Sequence, residues 1–374
     1  MTIEFTVPAE REAREPPEAR GERRDSVRML VSRRRAGAIS HHAFTELPTV
    51  LLPGDLVVIN TSATLPAAVR ASADLSVHFS SPRPDGTWLI ELRAPSGGAT
   101  APCRGGRPGM VIGLPGGARL TLCGRVTGRL WAARLSTAVI PYLLRHGSPI
   151  RYSYVPRDWP TSAYQSVFAT RPGSAEMPSA SRPFTSELVT RLVTRGVTVA
   201  PLTLDTGVSS LEGDEPPYPE PYDVPPSTAR LVNLTRANGG RVIAAGTTVV
   251  RALETAAAFA GYGRAGDGRD SSGRAGDGRD GSRRDPDGRD GGGRAGDGRG
   301  GVRASAGWTD LVVSAQRGTR VTDGLLTGFH EPRSSHLLML EAFTDPDLLR
   351  RCYAAALDEG YLWHEFGDVH LLLP

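Results

Sequence analysis

The sequence predicts an α/β protein: a discontinuous α/β domain with a largely parallel sheet, interrupted by a small antiparallel β-barrel domain. Three observations predict it. In the second half, helices alternate with apolar strand-like runs: SELVTRLVTRG leads into VTVAPLTL, and STARLVNLTRANGG leads into RVIAAG. Near-continuous apolar strands of this kind belong to sheets covered on both faces. An earlier run, DLVVIN at 55–60, has the same buried texture and is expected to join that sheet. Between 71 and 135 the texture changes to short β-type runs separated by Gly/Pro turns, such as PDG at 84–86 and PGG at 115–117. Closely spaced strands without helices suggest a small antiparallel sheet or barrel.

In chain order, residues 1–24 read as a polar arm. Residues 25–65 and 136–374 form the α/β domain, and 66–135 the inserted β-barrel-like domain. The helix at 186–196 has a Ser start and a Gly stop, as does the one at 227–240. After RVIAAG, the run TTVVRALETAAAF is a further helix. GRAGDGRD-like units then repeat, with copies starting at Gly263 and Gly273 and a truncated one at Gly293. Such a segment has almost no apolar side chains to offset the entropy of ordering, so 263–303 is expected to be a disordered insertion. An RGG-like RNA tether is the alternative reading; the Asp in each unit cancels the Arg charge and argues against it.

The 374 residues are 39% hydrophobic and 22% charged, which is enough to bury a core and excludes wholesale disorder. A net charge of +4 permits RNA contact without indicating it. All 44 basic residues are Arg, so chemistries that need a lysine, Schiff bases and P-loops among them, are excluded. Three scattered cysteines without CxxC spacing suggest neither a disulfide framework nor a zinc site, and fit a reducing cytoplasm. No apolar window approaches about eighteen residues and the start is polar, so a soluble, non-exported protein is expected. The G-x-S-x-G and HExxH patterns are missing, which removes the usual support for hydrolase and zincin readings, and GxGxxG occurs only within the Gly/Arg/Asp repeats at 261–301, which gives a Rossmann reading no support. The His41-His42 pair lacks partner ligands at metal-site spacing and reads as structural.

Two segments are the sharpest candidates for chemistry. In RVIAAGTTVVRALE, 241–254, a buried strand ends at Gly246, and Thr247 and Thr248 open a helix whose amides and partial positive charge suit a carboxylate. Gly-Thr-Thr also serves as a plain turn and N-cap. Arg251 and Glu254, three apart on one helix face, fit either ligand contacts or an ion pair with each other. In DGLLTGFHEPRSSHLLMLEAF, 323–343, a strand runs into Phe329 and His330, where a neutral-pH proton carrier is useful at a strand's carboxyl end; a satisfied loop histidine is the alternative. A third stretch, 163–189, carries Tyr164, Gln165 and Phe168 before a long Pro/Ser/Gly loop, which suits either wrapping a planar base or simply connecting two elements.

Taken in order, these segments resemble the S-adenosylmethionine:tRNA ribosyltransferase-isomerase family of the queuosine pathway. The resemblance runs from DSVRMLVSRRRAGAISHHAFTELPTVLLPGDLVVIN through AYQSVFATRPGSAEMP, FTSELVTRLVTRGVTVAPLTL, RVIAAGTTVVRALE, GWTDLVVS and the FHEPRSS helix to FGD at 366–368. It implies S-adenosylmethionine as a co-substrate. Its ribosyl carbons pass to the aminomethyl group of a 7-deazaguanine in tRNA, and adenine and methionine are released. It also implies an α/β domain interrupted by a β-barrel, and no metal.

The chain departs from the family pattern. Two arginines are replaced by Ala63 and Ala68, and a Gly-Leu-His-Phe run by Ser181, Arg182, Pro183 and Phe184. A Thr-Leu-His strand end becomes Thr203, Leu204 and Asp205, the Gly-Thr-Phe after it becomes Ser209, Ser210 and Leu211, and Gly328 stands for an Asn. A two-histidine loop is replaced by residues 215–222, with Glu220 and Tyr222 retained. Two other readings therefore accompany the family activity: the same donor chemistry on a small-molecule acceptor, and a non-catalytic S-adenosylmethionine-binding protein. Applied to this chain, the resemblance implies His330, Asp205 and Glu254 as catalytic residues, Asp205 standing in for a lost histidine. Gly246, Thr247, Thr248 and Arg251 would hold the donor, with Phe184 and Phe329 as packing surfaces near a base. The partner is tRNA or a small molecule, no membrane is expected, and the oligomeric state is left open.

Overall fold

The computed structural model describes residues 4–96, 99–103, 105–208, 218–262, 301–332 and 334–374. Most of the repeat insertion expected at 263–303 lies outside the described residues, as do Ser209, Ser210, Leu211 and Glu215.

Nine strands form one sheet, in the order Ser305–Thr309, Glu220–Val224, Thr198–Leu204, Leu56–Asn60, Val242–Ala245, Gly324–Gly328, Val369–Leu373, Arg28–Arg33 and Ala38–Ala43. The early strand Leu56–Asn60 lies inside it, parallel to Thr198–Leu204 on one side and to the middle strand Val242–Ala245 on the other. Val242–Ala245 in turn runs parallel to Gly324–Gly328. The sheet is mixed rather than largely parallel, because Val369–Leu373 opposes Gly324–Gly328 and the outer pairs at both edges are antiparallel. Apolar texture reports burial and not direction, which is why the sequence did not distinguish the two.

Alternate residues of the central strands feed two cores. Leu56, Val58, Val242, Ala244 and Leu325 join one, with Val249, Leu253 and Leu349 from the helices Thr247–Tyr262 and Pro346–Asp358. Val57, Ile59, Ile243, Ala245 and Leu326 join the other, with Leu188 and Leu192 from the helix Ser186–Thr194. That last helix is capped by Thr185, whose side chain accepts from the Leu188 amide. Covering both faces makes the continuous apolar runs necessary.

The region between the first and second strands of the parallel set builds a seven-stranded antiparallel sheet. Its order is Ala68–Arg70, Ser76–Pro82, Trp88–Ser96, Leu130–Leu135, Arg119–Arg125 and Val111–Gly113, with Ala99–Pro102 also paired to Trp88–Ser96. Among the described residues no ladder joins its edges, so this is a curled, open sheet and not a closed barrel. Its concave core of Phe79, Ile90, Leu120, Leu130 and Trp131 is plugged by Tyr142 and Leu143 of the helix Val139–His146.

The polar N-terminal segment packs onto the α/β part. Phe5 lies 4.9 Å from the Tyr353 ring, Ala13 donates to the Trp363 carbonyl at 3.1 Å, and Glu18 pairs with the buried Arg182 at 2.8 Å. Among the described residues no helix is long and apolar enough to cross a membrane.

The plugging helix stops at Gly147, whose amide donates to the Leu143 carbonyl at 2.8 Å. A Cβ there would lie 1.9 Å from the Pro66 carbonyl oxygen, a backbone atom that cannot swing aside. Gly147→Ala is therefore expected to destabilise the protein by about 1–3 kcal/mol, as overpacking does, measured by urea unfolding.

Candidate functional site

Because the parallel strands run in register, their carboxyl ends finish side by side, where ligands tend to sit in α/β sheets. A cavity of about 540 Å³ opens there, lined among others by Asn60, Thr206, Ala245, Gly246, Thr247, Thr248, Thr327, Phe329 and His330. The two sequence segments at 246 and 330 thus meet in one cavity.

Asn60 ties these ends together. Its Nδ2 donates to the Leu204 carbonyl at 2.8 Å and reaches Thr248 Oγ1 at 3.4 Å, while its Oδ1 accepts from the amides of Ser62 and Leu204 at 3.0 and 3.1 Å. Gly246 turns the chain from strand to helix with φ 107°, a left-handed conformation that disfavours any side chain. Its amide donates to the Leu326 carbonyl at 2.8 Å, and the first helical bonds run from Val249 and Val250 back to its carbonyl. The amides of Thr247 and Thr248 precede those bonds, at the positive end of a sixteen-residue helix.

His330 also lines the cavity. Its Nε2 is 2.8 Å from Thr327 Oγ1, and its ring stacks on His336 at 4.4 Å with planes 4° apart. Burial, reinforced by the neighbouring histidines, holds His330 well below the usual imidazole range. Burial brings His336 to about 4 and His364 to about 4. The imidazoles are therefore neutral at pH 7 and able to accept a proton. Phe329 backs this wall, packed against Trp363 at 4.9 Å and edge-on to Tyr353 and Tyr361.

Four expected site residues are not brought into the cavity lining. Glu254 is wholly buried and accepts from the amides of Arg320, Val321 and Thr322 at 2.8, 3.1 and 3.2 Å, with Arg317 at 3.2 Å. It holds the 317–322 turn against the helix, a fixed electrostatic duty that leaves it no part in the cavity. Arg251 pairs with Glu220 and donates to the carbonyls of Leu311 and Thr309 at 3.2 and 3.0 Å, locking the sheet edge. Neither contacts the other, as an ion pair three residues apart would require. Phe184 is core, edge-on to Phe44 at 5.1 Å and tilted to Phe168 at 5.2 Å. Asp205 sits one layer behind the cavity. There the Thr206 amide donates to Ser174 Oγ at 3.0 Å, and Ser174 bonds Ser62 Oγ at 2.7 Å. Ser62 then donates to Asp205 Oδ1 at 2.7 Å. Burial raises the Asp205 carboxyl, against the Ser62 bond and the Arg171 charge.

The cavity also collects residues that the sequence reading left out: His336, Tyr152, Tyr154, Glu176, Ser179, His364 and Glu365. His336 follows the capping Ser334 in FHEPRSS, and His364 and Glu365 immediately precede FGD, so proximity to those motifs was the available signal. Asp368 of FGD accepts from the amides of Arg28 and Leu362 at 2.6 and 2.8 Å, which pins the loop that carries His364 and Glu365. Ala63, Ala68 and Pro183 do not line the cavity.

The chain was compared with known proteins. The family model described as Queuosine biosynthesis protein matches residues 1–372. The S-adenosylmethionine:tRNA ribosyltransferase-isomerase of Chlorobium luteolum is 32% identical over 99% of this chain and 98% of its own. Its Moorella thermoacetica counterpart is 29% identical over the same shares. The crystal structure of S-adenosylmethionine tRNA ribosyltransferase from Thermotoga maritima aligns over 99% of both chains with a TM-score of 0.51 and 24% identity, a likeness of fold.

Glu254→Ala strands three amides and a partly buried guanidinium, and is expected to cost about 3–5 kcal/mol in chemical denaturation, as breaking a buried pair does. The buried histidines lose protons on folding. Neutral His336 and His364 thus contribute stability that is complete above about pH 6.5, the unfolded value, and lost as pH falls toward about 4. Titration of the ring nitrogens by NMR is expected to find both neutral at pH 6.

Proposed function

The chain belongs to the queuosine biosynthesis protein family, and on that premise we propose that it is an S-adenosylmethionine:tRNA ribosyltransferase-isomerase. It moves the ribosyl part of the sulfonium donor to the aminomethyl group of a 7-deazaguanine in tRNA, releasing adenine and methionine. The observation that carries this is likeness along the whole chain to enzymes of that name. A cytoplasmic enzyme and an α/β domain split into 25–65 and 136–374 around the β insertion accord with it.

The site residues take roles that follow from their chemistry. Thr247 and Thr248 offer amides and hydroxyls at a helix start, which suits the carboxylate of the methionyl group. The sulfonium acidifies the adjacent C5′ hydrogens, and His330, neutral and bonded through Nε2 to Thr327, is the base that removes one. His336, stacked beneath it, keeps that ring in place. The Gly246 amide ties the helix start to the strand that leads to His330, Asn60 ties it to the Leu204 strand tip, and Phe329 supports the His330 side. The departures Ala63, Ala68 and Pro183 do not line the cavity, whereas a side chain at Gly328 would meet the cavity-lining Ser179 at 3.4 Å. The whole-chain likeness favours the family activity over a binding protein or a small-molecule acceptor.

Purified protein with S-adenosylmethionine and tRNA bearing the aminomethyl-deazaguanine is expected to release adenine and methionine and to yield a heavier tRNA by mass spectrometry. No adenine with that tRNA would overturn the reading, and release with the free base alone would redirect it to a small molecule. His330→Ala is expected to slow adenine release by about 10²–10⁴-fold, the usual worth of a general base, while calorimetry finds donor affinity little changed. An unchanged rate removes His330 from the mechanism.

A further inference from the structure

One wall of the cavity is a stack of flat rings anchored by two carboxyl groups. Tyr152 and Tyr154 lie parallel, centroids 5.8 Å apart and planes 2° apart, and His364 stacks on Tyr154 at 4.0 Å and 13°. The Tyr152 hydroxyl donates to Glu176 and the Tyr154 hydroxyl to Glu365. His364 holds φ 75°, the one non-glycine residue in the left-handed region among the described residues. Such a conformation costs about 1–3 kcal/mol and persists where its surroundings impose it, typically at functional sites. Here the surroundings are the ring stack and the 362–368 loop pinned by Asp368.

We propose that Glu365 is the acid of this site, delivering a proton to a ring nitrogen of the purine as it leaves the donor's ribose. This rests on the transferase reading above. The stack offers aromatic surface for a flat heterocycle, and the Glu365 carboxyl is fixed beside it by the hydroxyl of the middle ring, Tyr154. When the glycosidic C–N bond breaks, its electron pair goes to the purine. A proton from the Glu365 carboxyl makes that leaving group neutral and leaves a carboxylate, which keeps the Tyr154 hydroxyl as donor. One proton is taken from carbon by the histidine and one is given to the purine, and both groups return to their resting states through water.

Protein surrounds the Glu365 carboxyl although part of the residue opens on the cavity. Burial pushes it up to about 7, with the charges of Glu176 and Glu331 adding to this and the Tyr154 bond opposing it. The other groups facing it are Tyr164, which feels its charge, and His364 next in the chain. Glu331 also lines the cavity, and burial raises its carboxyl too. Its side chain is 62% exposed, however, it lies 3.8 Å from His364 Nε2, and among the described residues no phenol fixes it as Tyr154 fixes Glu365. A carboxyl protonated near neutrality beside a neutral imidazole divides acid and base roles in the way catalytic pairs do.

The test measures adenine release by the full-length protein, with S-adenosylmethionine and the modified tRNA, as a function of pH. The wild type is expected to lose activity as pH rises through about 7, where the acid form disappears. Glu365→Gln is expected to bind the donor by calorimetry, to release adenine about 10²-fold or more slowly, and to lack that limb. A sulfonium donor whose purine carries an electron-withdrawing substituent needs less protonation, and is expected to recover most of the loss. Should Glu365→Gln fail to fold, two other variants decide. Tyr154→Phe is expected to move the limb to higher pH by removing a bond that lowers the carboxyl. Glu176→Gln is expected to move it lower by removing a charge that raises it. A limb unmoved by both, a Glu365→Gln enzyme at the wild-type rate, or equal deficits with the two donors overturns the acid assignment alone. A wild type that releases no adenine overturns the transferase reading and this inference with it.

Discussion

The parallel run of Thr198–Leu204, Leu56–Asn60, Val242–Ala245 and Gly324–Gly328 is the constraint on which the rest depends. Parallel neighbours in register must end together, and the ends of buried strands expose backbone groups that need partners. Asn60 supplies them for its own strand and for Leu204, and reaches Thr248 across the turn. One amide side chain therefore sets the spacing between the cavity's helix start and the neighbouring strand tip. The chain leaves the sheet at this point to build the curled antiparallel unit and returns to it at Thr198, so the cavity forms where the insertion joins the sheet.

The cavity's chemistry comes from desolvation more than from charge pairing. His330, His336 and His364 are pressed toward the neutral form chiefly by burial, and Glu365 is pressed toward the neutral form by the same cause. Burial thus favours the neutral form both of the imidazoles and of the Glu365 carboxyl at one pH. The charged pairs of this half of the protein are employed elsewhere. Arg251 with Glu220 and Arg317 with Glu254 fasten the sheet edge and the 317–322 turn to the long helix that begins at the cavity. They fasten that helix from outside the cavity lining.

Fold and site were legible to different depths. The buried strands, the helix stops at glycine and the change of texture at 71 all appear as patterns of near neighbours, and so did the Gly246 turn and the FHEPRSS segment. Arg251 and Glu254 were misread because a polar residue on a helix next to a turn looks the same whether it faces a ligand or a carbonyl sixty residues away. Asp205 ends one layer short of the cavity because Ser62 and Ser174 intervene, a relation between residues more than a hundred positions apart. Tyr152, Tyr154, His364 and Glu365 could not be ranked from sequence, since each is ordinary alone and acquires meaning only through its stack or its partner.

The sequence by itself determined that two large sheets form, which strands are buried, and that the turns at 246 and 330 stand at strand ends, because periodicity and backbone preference are local and are written in adjacent residues. The tertiary structure alone decided strand direction at the sheet edges, the open form of the small sheet, and which polar residues face the cavity. Those outcomes depend on which distant segments arrive beside one another. The same carboxylate becomes a buried anchor at Glu254 and a near-neutral acid at Glu365 according to whether backbone amides or a phenol and a cavity meet it there.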